Sequence, residues 1–253
     1  MDYVVAFISQ KGGVGKSTLA RAVAREFHVN GFKVKLADMD VQQATTVNWH
    51  VRRLNAGLEP IGSVECYRTF ADAKTAAINE DALVIDAAGR ASAASAEIAA
   101  QADLVIQPSS PSLDDLQPGV LLFHELVKQG IPMSKLRFAL TMVSTEREEE
   151  LGREYASQAG YQVLNGSLEF KTSYRTALNA GKTVTETLHK GVNTKADKLL
   201  QSIFSTLQEL TKVDEELLED TVIEVDPIDI DLESEATNNS GKQPDSSYLV
   251  ESA

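Results

Sequence analysis

Cysteine is almost absent from this chain: Cys66 stands alone among 253 residues. One thiol excludes an internal disulfide framework and a C-x-x-C metal or redox site, as expected of a cytoplasmic protein. Long hydrophobic runs are also missing. Without about 18 consecutive apolar residues no transmembrane helix is expected. The first residues run straight into an apolar strand, with no basic leader or small-residue cleavage site, so no signal peptide is expected. Positive charge is scarce in one region only. Residues 213–253 hold 13 Asp/Glu and one Lys, whereas residues 1–212 hold 24 Asp/Glu and 23 Lys/Arg. The formal net charge of −13 therefore describes a tail more than a body. The near-neutral body does not exclude contact with nucleic acid. Two parts are expected: a domain over 1–212 and an acidic, mostly disordered tail over 213–253. Within the tail, Val222–Leu232 alternates apolar with acidic residues, as would a strand added to a partner. The plainer reading is a solvating tail.

What the body does contain is alternation. Short apolar runs predict strands at Tyr3–Ser9, Lys33–Asp38, Leu83–Asp86, Asp103–Gln107, Arg137–Met142 and Tyr161–Leu164. Amphipathic segments predict helices at Lys16–Val29, about Gln43–Leu54, Ala93–Gln101, Leu116–Lys128, Glu146–Ala159 and Lys195–Thr211. Strand–helix alternation predicts an α/β fold, a mostly parallel twisted sheet with helices on both faces. Such sheets bind ligands at the carboxyl ends of their strands. Three motifs fall there: Gln10–Thr18, Asp38–Asp40 and Asp86–Gly89.

The first motif reads SQKGGVGKST. A strand, a glycine-rich loop and a helix start together make an anion site. Backbone N–H groups curl around phosphate oxygens, and the helix start adds its positive dipole end. Gly12, Gly13, Val14, Gly15, Lys16, Ser17 and Thr18 are the expected nucleotide contacts. Lys16 suits β/γ-phosphate charge, Ser17 a Mg²⁺ ion, and Thr18 the α-phosphate. Mg²⁺ needs only one or two protein oxygens beside phosphates, and Asp86 and Asp38, at strand ends, are the candidates. Asp40 suits the orientation or deprotonation of an attacking water, against a plain helix-capping role. Lys11 precedes the glycines and so points away from its own phosphate site. A trans contact in a dimer and an ordinary surface lysine both remain open on spacing alone.

KGGVGKST with Lys11 resembles the deviant Walker A box of the ParA/MinD family of P-loop ATPases. DMDVQQATTVNW is similar to the family's second box, with Val41 where proline is usual and one apparent extra residue before Asn48-Trp49. VIDAAGR resembles its Walker B segment, ADLVIQPSSPSLDDL its next strand and loop, and YRTALNAGKTVTE its late R-x-x-x-x-A-x-x-G-K segment. The likeness spans about residues 1–210. It fits best the short, ParF-like plasmid partition ATPases, because the chain begins at the first strand.

The resemblance implies an ATP- and Mg²⁺-dependent ATPase, with Lys11, Lys16 and Asp40 in catalysis. It also implies a nucleotide-sandwich homodimer in which each Lys11 serves the other chain. Such a dimer would bind DNA non-specifically on the nucleoid. A centromere-binding or cargo adaptor protein would stimulate its slow hydrolysis. DNA contact is expected from Arg175, Lys182, Lys171 and Lys195, with Arg147, Arg153 and Lys198 as further basic candidates. The alternative is a MinD-like ATPase positioning cargo on a membrane or protein assembly. An acidic tail containing Pro227 argues against membrane contact. A lone cysteine argues against the cluster-carrying relatives.

Overall fold

The structure is a computed structural model describing residues 1–89 and 93–219. Seven strands form one sheet in the order β3-β2-β4-β1-β5-β6-β7, and every described pair is parallel. In chain order the elements are β1 (Tyr3–Phe7), α1 (Lys16–Val29), β2 (Val34–Asp38), α2 (Thr45–Asn55), β3 (Ser63–Cys66) and α3 (Phe70–Ala76). Then come β4 (Ala82–Asp86), α4 (Ala93–Gln101), β5 (Leu104–Ser109), α5 (Leu113–Lys128), β6 (Leu136–Leu140) and α6 (Glu146–Gln158). β7 (Gln162–Val163), α7 (Thr172–Asn179) and α8 (Lys190–Glu219) complete the order. The expected α/β class with helices on both faces is the fold.

The sheet's apolar runs are buried on both sides because successive side chains point to opposite faces. Val4, Ala6 and Ile8 pack with the α3–α6 side, against Phe123, Leu126 and Ile98. Val5 and Phe7 pack on the other side, with α1, Trp49 and α8 residues Leu199 and Ile203. β1 sits between β4 and β5, so the loop leaving it emerges at the middle of the carboxyl edge.

Three elements were not predicted. β3 is an edge strand of four residues whose side chains are mostly half-buried, so it carries no apolar run. α3 and α7 are too short, at seven and eight residues, to display a helical period. α5 starts at Leu113 rather than Leu116 and runs through Pro118. α8 is longer than expected at both ends and reaches Glu219, so it takes in the first residues assigned from sequence to the tail. Residues 220–253, with the Val222–Leu232 pattern and Pro227, lie outside the described residues.

The late segment packs on α2. Gly181 has φ +73°, and an added Cβ would stand 2.5 Å from the Arg53 backbone. Gly181→Ala is therefore expected to cost about 2–4 kcal/mol in urea unfolding, from strain plus collision.

Candidate nucleotide-binding site

The glycine-rich loop joins β1 to α1 across the carboxyl edge. Gly15 closes it at φ +100°, a left-handed conformation that side chains resist. Behind it the Thr141 hydroxyl donates to the Val14 carbonyl at 2.8 Å, so the end of β6 buttresses the loop. In front there is room: a Cβ placed on Gly12 or Gly13 meets no atom within 4 Å. An open cradle of backbone N–H groups at a helix start fits a phosphate chain.

Lys16 is buried, with its Nζ donating to the Lys11 carbonyl at 3.0 Å. Burial lowers its pKa from the ordinary value, opposed by the nearby Asp86 and then Asp40. A desolvated ammonium with no carboxylate in direct contact among the described residues is well suited to accept phosphate charge. Gly89 lies beside it: an added Cβ would come 3.4 Å from Lys16 Nζ.

Asp38 and Asp86 end adjacent strands in register. Both are buried, and burial drives the Asp86 carboxyl above its ordinary range, against hydrogen bonds from the Thr46 and Ser17 hydroxyls. Thr46 Oγ1 donates to Asp86 Oδ2 at 2.6 Å. Ser17 and Asp86 thus stand together next to the cradle, an oxygen pair that fits Mg²⁺.

Asp38 is differently employed. Its Oδ2 accepts the Thr46 and Val47 N–H groups, and its Oδ1 accepts the Asp40 N–H. It caps α2 and positions Asp40. Arg21 supplies the counter-charge: it donates to Thr46 Oγ1 at 3.0 Å and lies over the Trp49 ring. Burial lowers the Arg21 pKa to about 10, against the raising effect of Asp86 and Asp38.

Asp40 is half-buried in the turn before α2, with Oδ1 accepting the Gln43 N–H. Its carbonyl takes the Ala44 N–H at 2.7 Å. Ala44 itself is left-handed at φ 45°, within the stretch that carries the apparent extra residue. Val41 is exposed at the tip of this turn.

Lys11 does not reach into its own cradle. Its Nζ donates to Asp115 Oδ1 on α5 at 2.6 Å, and its side chain is 43% exposed. The basic residues proposed for DNA divide into two places. Lys195 and Lys171 both face Glu169, at 2.6 and 3.9 Å, and Arg175 covers the neighbouring Phe170 ring. Lys182 sits apart, half-buried, its carbonyl accepting the Trp49 indole N–H. Arg147 and Arg153 pair with Glu150 and Glu149 on their own helix, and Lys198 is exposed on α8.

Sequence reasoning missed Arg21, Thr46, Asp115 and Thr141. Arg21 was within reach, being one helical turn beyond Ser17 on α1. Thr46 and Asp115 lie inside the boxes DMDVQQATTVNW and ADLVIQPSSPSLDDL, where they were not singled out, and Thr141 lies outside every quoted motif.

A second polar cluster holds α2 to the late segment. Arg53 is buried and donates to Glu186 through both terminal nitrogens and to the Gly181 carbonyl. Burial pushes the Glu186 carboxyl up, but Arg53, the Thr183 N–H and Arg25 outweigh it and hold it at about 2. A depressed folded-state value stabilises above the unfolded value, and that stability is lost as pH falls toward the folded one. Glu186→Gln is thus expected to cost about 3 kcal/mol at pH 7. The deficit should shrink between pH 4.5 and about 2 in unfolding measured against pH.

A groove of about 500 Å³ lies at the opposite edge, between α1 and α8, lined by Tyr3, Phe27, Phe32 and Phe204. It offers no glycine-rich loop and carries Glu26 and Asp197, which oppose a phosphate.

The parallel sheet with its strand–cradle–helix places the molecule among P-loop nucleotide-binding proteins. The model of the CobQ/CobB/MinD/ParA nucleotide-binding domain matches residues 5–184. The chain belongs to that family. A curated relative, the protein ParA of Rhizobium radiobacter, is 26% identical over 184 residues, covering 70% of this chain and 83% of its own. The cell division ATPase MinD of Pyrococcus furiosus superposes with a TM-score of 0.63 at 16% identity, over 81% of this chain and 99% of that one. A plasmid partition protein of Borrelia burgdorferi B31 bound to AMPPNP gives 0.62 at 15% identity, with the same coverage. MinD of Pyrococcus horikoshii, complexed with Mg-ADP, gives 0.61 at 17% identity, over 80% and 96%. At these identities the solved structures establish the fold. Among the described residues no helix is long and apolar enough to cross a membrane.

Proposed function

We propose that the chain is a ParA-type ATPase that closes as a homodimer around two ATP molecules and positions a plasmid or other cargo on DNA. One observation carries the reading. Lys16 is turned into its own cradle, while Lys11, five residues earlier, is turned out of it toward α5. Two lysines on one loop thus serve two directions, and the outward one suits a second chain's phosphates. The surroundings support this: Val41, Leu113, Met142 and Phe170 are exposed large apolar residues that follow β2, β5, β6 and β7 at the carboxyl edge. A second copy would cover them.

In this reading Gly12–Thr18 hold the phosphates, and Ser17 and Asp86 hold Mg²⁺, which supplies charge neutralisation at the phosphate oxygens. Asp38 is a positioning residue for Asp40, and Asp40 orients the attacking water. Arg175, exposed and without a salt bridge among the described residues, supports non-specific DNA contact near Lys171 and Lys195, with Lys182 a separate candidate. A centromere-binding or cargo adaptor would stimulate turnover, with the ATP-bound dimer on the nucleoid.

The test is sizing chromatography of the Asp40→Ala variant with ATP and Mg²⁺, then gel-shift on DNA of unrelated sequences and sedimentation with anionic liposomes. A dimer that binds all DNAs alike and ignores liposomes is expected. A nucleotide-loaded monomer would sink the sandwich reading. A dimer that binds liposomes and not DNA would transfer the function to a membrane.

A further inference from the structure

The groove between α1 and α8 reaches Tyr3, the first residue of β1, and so lies at the amino edge of the sheet. Four rings meet there. Phe27 is buried, and Tyr3, Phe32 and Phe204 stand half-buried around it, with centroids 5.7, 5.5 and 4.8 Å from its own. Two rows of polar side chains border the rings. Glu26 and Asn30 are one helical turn apart on α1, and Asp197, Gln201 and Ser205 follow the same spacing on α8. An apolar floor between polar rims is the anatomy of a small protein interface. From Asp197 to Gln208 the groove runs about 16 Å along α8, the length of about five extended residues.

The acidic groups at its rim are not equally engaged. Glu26 Oε1 accepts Arg25 Nη1 at 2.6 Å and the Thr185 hydroxyl at 3.3 Å. Asp197 is half-buried and has no hydrogen bond or ion pair among the described residues. Burial and then Glu26 raise its carboxyl above the ordinary range, opposed by Arg25. A half-buried carboxylate without a partner, beside ring faces that attract cations, is a place for positive charge.

Charge also decides between occupants. Residues 213–253 follow the groove in the chain and hold 13 Asp/Glu against one Lys, so this chain's own tail is repelled. A second copy presenting the same face would set carboxylate against carboxylate. Nucleic acid and anionic lipid are opposed in the same way. We propose that the groove docks a short cationic segment of another protein: a basic side chain lies along the rings with its charge at Asp197 and Glu26, and flanking apolar residues fill the floor. Asn30 ends α1, about 20 Å from the phosphate cradle at its start. An occupied groove therefore leaves the carboxyl edge free for nucleotide and for a second chain. The site does not depend on the dimer reading.

The probe is a fluorescein-labelled peptide of alternating leucine and arginine, and the readout is its dissociation constant on the full chain by anisotropy. The same peptide with citrulline for arginine keeps the shape and loses the charge. It is expected to bind about tenfold more weakly, as for loss of charge-assisted contacts. Asp197→Asn should weaken the arginine peptide roughly fivefold, as for a partly exposed ion pair. Phe204→Leu, which keeps the apolar volume and removes a ring, should weaken it about threefold. Gln201→Lys puts a cation of the chain's own on the exposed rim and should weaken it about tenfold. The tail double variant Asp229→Asn with Asp231→Asn should bind like the parent.

No binding of the arginine peptide overturns the site, and so does equal binding of the citrulline form. Weakening by the tail variant with none by Asp197→Asn and Gln201→Lys gives the cation to the tail and overturns the groove. If Asp197→Asn does not fold, Gln201→Lys decides alone. If the parent self-associates in sedimentation velocity without peptide and Gln201→Lys abolishes it, the occupant is a second copy and the proposal falls.

Discussion

Lys11→Ala is expected to lower partner-stimulated ATP turnover by about 10³-fold, the scale of a cationic finger contributed across an interface. Nucleotide affinity in the single chain should hardly change, because Lys11 points to Asp115 and away from its own cradle. The physical reason is the transition state. Charge spreads over the oxygens of the transferred phosphoryl group, and a fixed ammonium in a water-poor interface stabilises it far more than in solvent. A mixing experiment separates trans from cis action. Equal amounts of Lys11→Ala and Asp40→Ala chains form mixed dimers in half the cases. In each mixed dimer, the site with an intact Asp40 faces an intact Lys11 from the other chain. The mixture should therefore regain about one quarter of the parent rate, as an isologous two-site dimer requires. No recovery would assign Lys11 to its own nucleotide and remove the sandwich.

Asp40→Ala is the second large effect, with turnover falling about 10²–10⁴-fold, the range for a positioned general base. Binding of ATP should persist, since Asp40 touches Lys16 only through its field. Asp38→Asn should not mimic it simply. Asp38 holds the Asp40 N–H and two amides of α2, so its loss should disorder the turn and lower stability together with rate. A variant at Asp40 that bound ATP and hydrolysed it at the parent rate would return this residue to plain helix capping.

Much of the architecture was legible in the chain. Runs such as YVVAF and LVI are apolar without alternation, as in a strand buried on both faces, and are too short for a typical helix. Lys16–Val29 announced its helix because fourteen residues span nearly four turns of the period. Short elements did not speak in the same way. Seven residues of α3 and four of β3 are stabilised by what they pack on, so their own pattern is too brief to reveal them. α5 begins three residues before the predicted Leu116 and keeps Pro118 inside it, because burial of Leu116, Val120 and Phe123 outweighs one missing N–H.

By itself the sequence determined the α/β class, the phosphate-binding loop and the choice of carboxylates at strand ends, because each depends on neighbours within a few residues. Only the tertiary structure decided which partners those carboxylates meet. Asp38 and Asp86 are equivalent in sequence pattern, both ending apolar strands. Folding gives one to the amides of α2 and leaves the other beside Ser17. The same holds for the second lysine. No local spacing links Lys11 to Asp115, 104 residues away, and that contact exists because β1 and β5 lie side by side and deliver the loop and the start of α5 to one edge.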